Sequence, residues 1–520
     1  MINRDYTKKS VSGPLSNLSK AQQTIWIALL ALLTAFYFYS SISYSSATFD
    51  EPFHLASGMQ WHNEHNYTYD RIHPPLGRVM IALGPWLKGL RPGHGKDAMQ
   101  DGTTILRADG KFQQNLMLAR LGNAPFLILA ATIVFLWAKR WFHATTNLWA
   151  LTLFLSLPPI LAHASLATID MAQAASLVAA LYTWLLWLDS PTHKRSALLG
   201  LAIGIAFLCK LSNIFFFLAC ASISLPFLFR KRHCKLPAAL YIVSTMLFVL
   251  WAGYGFSSQP YPLRQFALGI KDILLLNSTG HDSFLLGQYS KEGWWYFFPV
   301  VLAVKTPLVL LTFSLLGSLL MLDQLRQANP HRLLTFLFPL TILLLSIVSS
   351  INLGVRHILA VYPFAAILAA AAIHRLLDSK LNPYPLLTAP ILLFSILLPT
   401  WQANPQLLAY FNPIAGSEPG LVLAESDLDW GQDLNALQHR LKQRGIKQIS
   451  VKYFGGQSLE DAGLVNTGPL HPHTKTTGYI AISARFLYLA HARSGDYDWL
   501  KIYTPLERIG QSIFLYRIDK

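Results

Sequence analysis

Residues 22–54 read QQTIWIALLALLTAFYFYSSISYSSATFDEPFH, some twenty apolar residues, a short serine-rich stretch and then an adjacent Asp-Glu pair. An apolar run of about 20 residues is what a helix needs to cross a bilayer. Lys8, Lys9 and Lys20 precede it and hold that end in the cytoplasm. The carboxylates of Asp50 and Glu51 therefore stand where the first span emerges on the opposite side. No small-residue cleavage site stands out after the run, so an uncleaved first span is expected.

The rest of the chain extends this pattern. Of its 520 residues 53% are apolar and only 13% charged, with a mean hydropathy of +0.36. A soluble domain carries about 25% charged residues, and disorder requires low hydrophobicity, the opposite of what is found. An α-helical polytopic membrane protein is expected. The net charge of +16 suggests nucleic acid at first sight. However, residues 402–520 are nearly balanced, with 12 basic and 11 acidic residues, and the first 401 hold 30 against 15. That excess clusters in short loops between apolar runs, as cytoplasmic loops require, so no nucleic-acid partner is expected. Cys209 and Cys220 fall in apolar runs and Cys234 in a basic loop, which implies neither a disulfide framework nor a metal site.

Alternating the runs across the bilayer gives about eleven transmembrane helices. After the first come a long polar loop (44–115), a return to Lys139-Arg140, an exit over 148–164 and a re-entry over 172–188. The apolar stretch 196–229 is too long for one helix and is basic at both ends, so two short spans with Lys210, Ser212 and Asn213 at the outer bend are expected. The remaining spans lie at 238–256, 296–322, 333–350, one returning to His374-Arg375, and 386–401. The N-terminus is then inside and the last 119 residues outside. Residues 1–401 form the membrane domain and 402–520 a small α/β domain, with helical periodicity over 433–444 and β-rich runs at 448–454, 478–483 and 512–518.

Sidedness gathers the unusual polar residues on the outer face: Asp50, Glu51, His54, Asp70, Arg71, His73, Asp170, Lys210, His281, Lys305, Arg356 and His357. Ionisable groups against lipid are costly and usually face a cavity. One outer active site, half within the membrane, is the reading they favour. Within the first outer loop, residues 53–61 fit an amphipathic helix lying on the membrane, and His73-Pro74-Pro75-Leu76-Gly77-Arg78 opens a second apolar run over 79–90.

An Asp-Glu pair after the first span, followed by two juxtamembrane helices and a His-Pro-Pro-Leu turn, resembles the GT-C glycosyltransferases of the protein O-mannosyltransferase type, with the lipid A aminoarabinose transferase as a relative. The similarity continues through PPILAH (158–163), ATID (167–170), GHD (280–282), LGQY (286–289), GWWYFFP (293–299) and KTP (305–307). NLGVRH (352–357) and SDLDWGQDL (426–434) are similar to a bacterial branch described as phospholipid-carrier-dependent glycosyltransferases.

The resemblance implies transfer of a sugar from a polyprenyl-phosphate donor to a glycolipid, envelope glycan or protein acceptor, at the outer face of a bacterial inner membrane. Asp50 matches the family's base, with inversion at the sugar expected, and Glu51 and Asp170 complete the acidic set. Arg71, Lys210, Lys305, Arg356 and His357 are candidates for the donor phosphate, where charge builds on the departing group. His54, His73, His281 and Tyr289 are candidates on the sugar or acceptor side. For Lys305, about ten residues into its span, snorkelling to headgroups is the competing expectation.

No histidine pair has a supported metal spacing, so no cofactor is assigned, a divalent ion remaining possible. Asp427-Leu428-Asp429 has the spacing of a nucleotide-sugar metal motif, but nucleotide sugars are cytoplasmic and the segment is outside. A structural turn with Asp433 capping the following helix is expected instead. Two rival functions remain, a flippase for lipid-linked saccharides and a non-catalytic scaffold. Transporters favour inverted repeats with polar sites at the midplane, and a scaffold has no use for acids and cations gathered on one side.

Overall fold

The computed structural model of the chain describes residues 18–93, 95–142, 145–228, 236–258, 263–322, 330–379 and 382–519. Lys8, Lys9, the basic loop 230–232, Cys234 and Lys380 lie outside the described residues. The first span is the helix Lys20–Tyr44. Ser19 Oγ accepts from Gln22 N at 3.2 Å, and the Gln22 side chain accepts from Ser19 N at 2.8 Å. This reciprocal pair satisfies two of the donors that a helix start leaves open.

Most other apolar runs form helices where expected: Ala124–Trp141, Asp170–Asp189, Leu236–Gly253, Pro330–Ile347, Val361–Leu377 and Pro385–Ala403. The long stretch divides into His193–Cys209 and Ser212–Leu228, with Lys210 at the bend. Two runs read as single spans are broken. Thr146–Leu155 and Pro158–Ala164 meet at 62°, and Phe297–Lys305 stops before Pro307, the chain resuming as Leu308–Leu322. Proline lacks the amide hydrogen that a continuous helix would use. Among the described residues, five helices are long and apolar enough to cross a membrane, or six if the bent pair is one span. The count of eleven draws also on shorter apolar helices.

The loop 44–115 folds into three helices rather than two: Glu51–Glu64, Pro75–Leu87 and Ala98–Arg107. The first of them does not lie on lipid by an amphipathic face. It is buried from Glu51 to Gln60 except at Phe53, covered by its neighbours. Small residues allow this: a Cβ on Gly58 would lie 2.0 Å from the Arg78 carbonyl oxygen, and one on Gly102 1.9 Å from that of Pro52. A further helix, Arg264–Thr279, and a hairpin of β1 (Ser283–Leu285) and β2 (Gln288–Ser290) occupy the loop before residue 295.

The C-terminal sheet has five strands: β3 (Ile449–Lys452), β4 (Thr467–Pro469), β5 (Gly478–Ser483), β6 (Glu507–Ile509) and β7 (Ile513–Ile518), in the order β4-β3-β5-β7-β6. β3 runs parallel to β4 and β5, whereas β7 is antiparallel to β5 and β6. Leu434, Leu437 and Leu441 of the helix Leu434–Gln443 bury against Ile449, Val451, Ala481 and Leu515. Ile480, Ile482, Phe514 and Tyr516 cover the other face with Tyr497 and Leu500, the alternation that a strand's period of two imposes.

This domain is bonded into the end of the bundle. Phe49 N donates to Trp430 O at 3.0 Å, Ser46 N to Gln432 O at 2.9 Å and Gly456 N to Ala47 O at 3.1 Å, fixing the backbone just ahead of Asp50. Lys305 serves the same junction and corrects both expectations for it. Only 1% exposed, it donates to the carbonyls of Leu408 at 2.8 Å and Asp427 at 2.7 Å, 4.1 Å above the Phe411 ring. Its ammonium is committed to these two carbonyls, and it does not line the cavity described below. Lys305→Met is expected to cost about 1–3 kcal/mol by stranding two buried carbonyls. A lower Tm with unchanged donor affinity is the outcome to look for.

Candidate active site

A cavity of about 490 Å³ opens at the end of the bundle that carries the C-terminal domain. Asp50, His54 and His73 line it from the juxtamembrane segment, and Asp170 from the start of its helix. Lys210 reaches it from the bend, and His281, Arg356 and His357 from two loops. Eight of the residues singled out by sequence thus meet in one place. Apolar side chains, among them Phe215, Phe216, Ile273, Leu345 and Val348, form the remaining wall.

Two ion pairs organise the polar end. Asp50 Oδ2 lies 2.9 Å from Arg356 Nη1, and Asp170 Oδ1 lies 2.7 Å from Lys210 Nζ. The Arg356 guanidinium sits 4.4 Å from the centre of the Trp430 ring, and its Nε has no hydrogen-bond partner among the described residues. Burial works against the charge on Arg356, but Asp50 and Asp170 outweigh it and raise its pKa. His357 is held well below its ordinary value by burial and by Lys210 and Arg356, so its ring is neutral. Two cations and two carboxylates, largely screened from water, give an anion strong partners once it displaces a carboxylate.

The C-terminal domain holds the arginine loop in shape. Asp427 accepts from Val355 N at 3.1 Å, and the Ser426 hydroxyl donates to the Leu353 carbonyl. Gly354 has φ 109°, and a Cβ there would lie 2.6 Å from Asp427 Oδ2. NLGVRH and SDLDWGQDL are therefore two halves of one support. The turn expected at 427–429 is present. Asp433 does not cap its helix through its side chain, because Oδ2 instead accepts from Gln511 N, Ser512 N and Ser512 Oγ at 2.9–3.0 Å.

Burial pushes the Asp429 carboxyl up to about 7 against the opposing hydrogen bond from Arg485 N. The folded state then holds a proton that the unfolded chain releases near pH 4. Stability should fall as pH rises between about 4 and 7 and level off above. Asp429→Asn is expected to flatten that slope, read as Tm against pH beside the wild type.

Three further candidates prove to be elsewhere. Glu51 is fully buried behind the cavity, bonded twice to Arg120 at 2.8 Å and accepting from Thr48 N at 2.8 Å and Ala167 N at 2.7 Å. All its lone pairs face donors, which makes it a structural anchor. Arg71 lies at the surface 3.6 Å from Asp272, its side chain 46% exposed. Tyr289 is turned by the β1–β2 hairpin toward the C-terminal domain, where its hydroxyl donates to Asp282 Oδ1 at 2.7 Å beside Arg493. Arg78, Tyr67, Arg120 and Trp430, which the sequence did not single out, support the site from behind rather than line it. For Arg78 the signal was a cation opening an apolar run. Among the described residues no group of three or more His, Cys, Asp or Glu is arranged to hold a metal ion.

Residues 25–256, somewhat less than half of the chain, match the family described as dolichyl-phosphate-mannose-protein mannosyltransferase. The fold matches that of ArnT from Cupriavidus metallidurans bound to undecaprenyl phosphate, with a TM-score of 0.52 and 15% identity over 95% of this chain and 98% of that one. The same enzyme in the apo state gives 0.51 and 16% over the same shares. The archaeal oligosaccharyltransferase from Archaeoglobus fulgidus, tethered to an acceptor peptide, gives 0.50 at 11% identity over 94% of this chain and 72% of that one. No curated protein matches the chain by sequence. What the chain shares with these structures is the helical GT-C fold. By this partial match and by fold, the chain is similar to glycosyltransferases of the O-mannosyltransferase and ArnT type.

Proposed function

We propose that the chain moves a monosaccharide from a polyprenyl-phosphate donor to an acceptor hydroxyl at the outer face of a bacterial inner membrane. The hydroxyl belongs to a glycolipid, an envelope glycan or a protein. The observation that carries this reading is the cavity in which Asp50 and Asp170 are each paired to a cation beside a long apolar wall. The donor phosphate takes over Arg356 and Lys210, which frees Asp50 to face the acceptor. The acceptor oxygen then attacks the anomeric carbon, its proton passes to Asp50, and the bond from that carbon to the phosphate oxygen breaks. The electron pair leaves with polyprenyl phosphate, whose added negative charge the two cations stabilise. Asp170, paired with Lys210 until the donor arrives, is then free to orient sugar hydroxyls. A single displacement of this kind inverts the anomeric centre.

ArnT was solved with undecaprenyl phosphate, which supports a lipid-phosphate carrier here. The division into a membrane domain (1–401) and an outer α/β domain (402–520) is part of the same proposal. Proteoliposomes of the full chain, offered radiolabelled polyprenyl-phosphate monosaccharides together with envelope lipids, glycans and peptides, test it. Label should pass from carrier to acceptor with at least one donor. Label that crosses the bilayer still attached to its carrier would identify a flippase instead.

A further inference from the structure

Beside the cavity, and outside the proposed chemistry, lies a buried network centred on Arg78, which is 0% exposed. Its Nη2 donates to Asp70 Oδ2 at 2.7 Å, its Nη1 to the Tyr67 hydroxyl at 3.1 Å, and its guanidinium lies 4.8 Å from the centre of the Phe53 ring. Asp70 is further held 2.6 Å from His73 Nδ1, and Tyr67 donates to the His73 carbonyl at 2.6 Å. The third nitrogen donates as well, Arg78 Nε–H pointing at His54 Nδ1 across 2.9 Å.

A guanidinium has donors only and stays protonated in proteins, so this contact requires a lone pair on His54 Nδ1. A neutral ring that accepts at Nδ1 carries its hydrogen on Nε2. His54 lines the cavity, and its Nε2 makes no protein hydrogen bond among the described residues. It stands one helical turn from Asp50, whose carbonyl accepts from His54 N at 3.0 Å.

We infer that His54 is a fixed, neutral hydrogen-bond donor to an oxygen of the glycosyl phosphate, with Arg78 setting its tautomer. This rests on the proposed function for the identity of the ligand but not for the state of the ring. His54 is not a second base, because its one free lone pair is already taken, and proton acceptance is left to Asp50. An imidazolium would set an N–H against the guanidinium N–H. Burial, Arg78 and His73 all disfavour that form and outweigh the opposing pull of Asp170 and Asp70. His54 would touch the ligand, whereas Arg78 acts through it as a positioning residue.

The ring is read first, by solid-state NMR of the full chain in lipid with ¹⁵N-histidine, His54 being assigned by its loss in His54→Gln. The expected signal is a neutral ring protonated at Nε2 and unchanged between about pH 6 and pH 8. A ring protonated at Nδ1, or one that titrates in that interval, would overturn the tautomer lock whatever the fate of the proposed function. Binding is read next with the same chain, using polyprenyl phosphate with and without its sugar. His54→Ala should weaken binding about tenfold and His54→Gln, which keeps a donor at similar reach, by less than about threefold. Weakening with both ligands points to a phosphate oxygen, and weakening only with the glycosylated one points to a sugar oxygen. Equal affinities for wild type and His54→Ala, or equal losses in both variants, would refute the donor role. Should the wild type transfer no sugar at all, the proposed function falls while the ring measurement still decides the lock.

Discussion

Asp50→Asn is expected to lower kcat by about 10²–10⁴-fold, the range that a positioned general base supplies, while leaving the protein folded and able to bind donor. The carboxylate sits at the mouth of the helix Glu51–Glu64, its side chain 29% exposed, with Arg356 as its ion-pair partner. Asparagine preserves the size of the side chain but takes no proton at neutral pH. It also removes the carboxylate that competes with the donor phosphate for Arg356. Donor affinity should therefore hold or tighten as turnover collapses. A Kd titration beside single-turnover kinetics separates the two effects. A parallel loss of affinity and Tm would mean that Asp50 mainly supports the loop.

The neighbouring residue should behave in the opposite way. Glu51→Ala is expected to destabilise the protein by about 3–5 kcal/mol, the usual cost of leaving one member of a buried ion pair unpaired. Arg120 and Glu51 are both 0% exposed. Arg120 also donates to the carbonyls of Ile42, Ser45 and Ser46 at 2.8–2.9 Å, so the pair fastens the end of the first span to the cavity floor. The double variant Glu51→Leu/Arg120→Met should lose less than the two single changes together, since it strands no charge. The protein that remains folded should keep its kcat. Urea or thermal unfolding in detergent gives the first quantity, and activity per folded molecule the second.

That contrast marks where the sequence stops being readable. The spans were legible because hydropathy is local, and Asp50, Asp170, Lys210, Arg356 and His357 because polar groups at apolar run ends on one side have few other uses. The convergence of these residues on one cavity followed from sidedness alone. Glu51 shares its context with Asp50, and its partners Arg120 and Ala167, 69 and 116 positions away, distinguish them. Lys305 looked like a phosphate ligand because its carbonyl partners lie 103 and 122 positions downstream. The third juxtamembrane helix, Ala98–Arg107, begins after a glycine-rich stretch and is half polar, so its apolar periodicity is short. The breaks before Pro158 and after Lys305 were marked by proline, but a proline can also sit inside a helix, as Pro339 and Pro390 do here.

The helix Glu51–Glu64 shows the same limit from another side. Its sequence fits a lipid surface as well as a protein one, and Gly58 and Gly102 decide for protein by admitting backbone at distances no side chain tolerates. Likewise, NLGVRH and SDLDWGQDL were visible as separate motifs. Their joint role appears only when Asp427 is seen bonded to Val355 N beside Gly354.

A single displacement in which Asp50 takes the acceptor's proton is the centre of the proposed reaction, and the anomeric configuration of the product tests it most directly. With a donor of defined configuration, NMR of the product formed by the wild-type chain should show the inverted linkage. Retention would require two displacements and a second nucleophile, and would contradict the role assigned to Asp50.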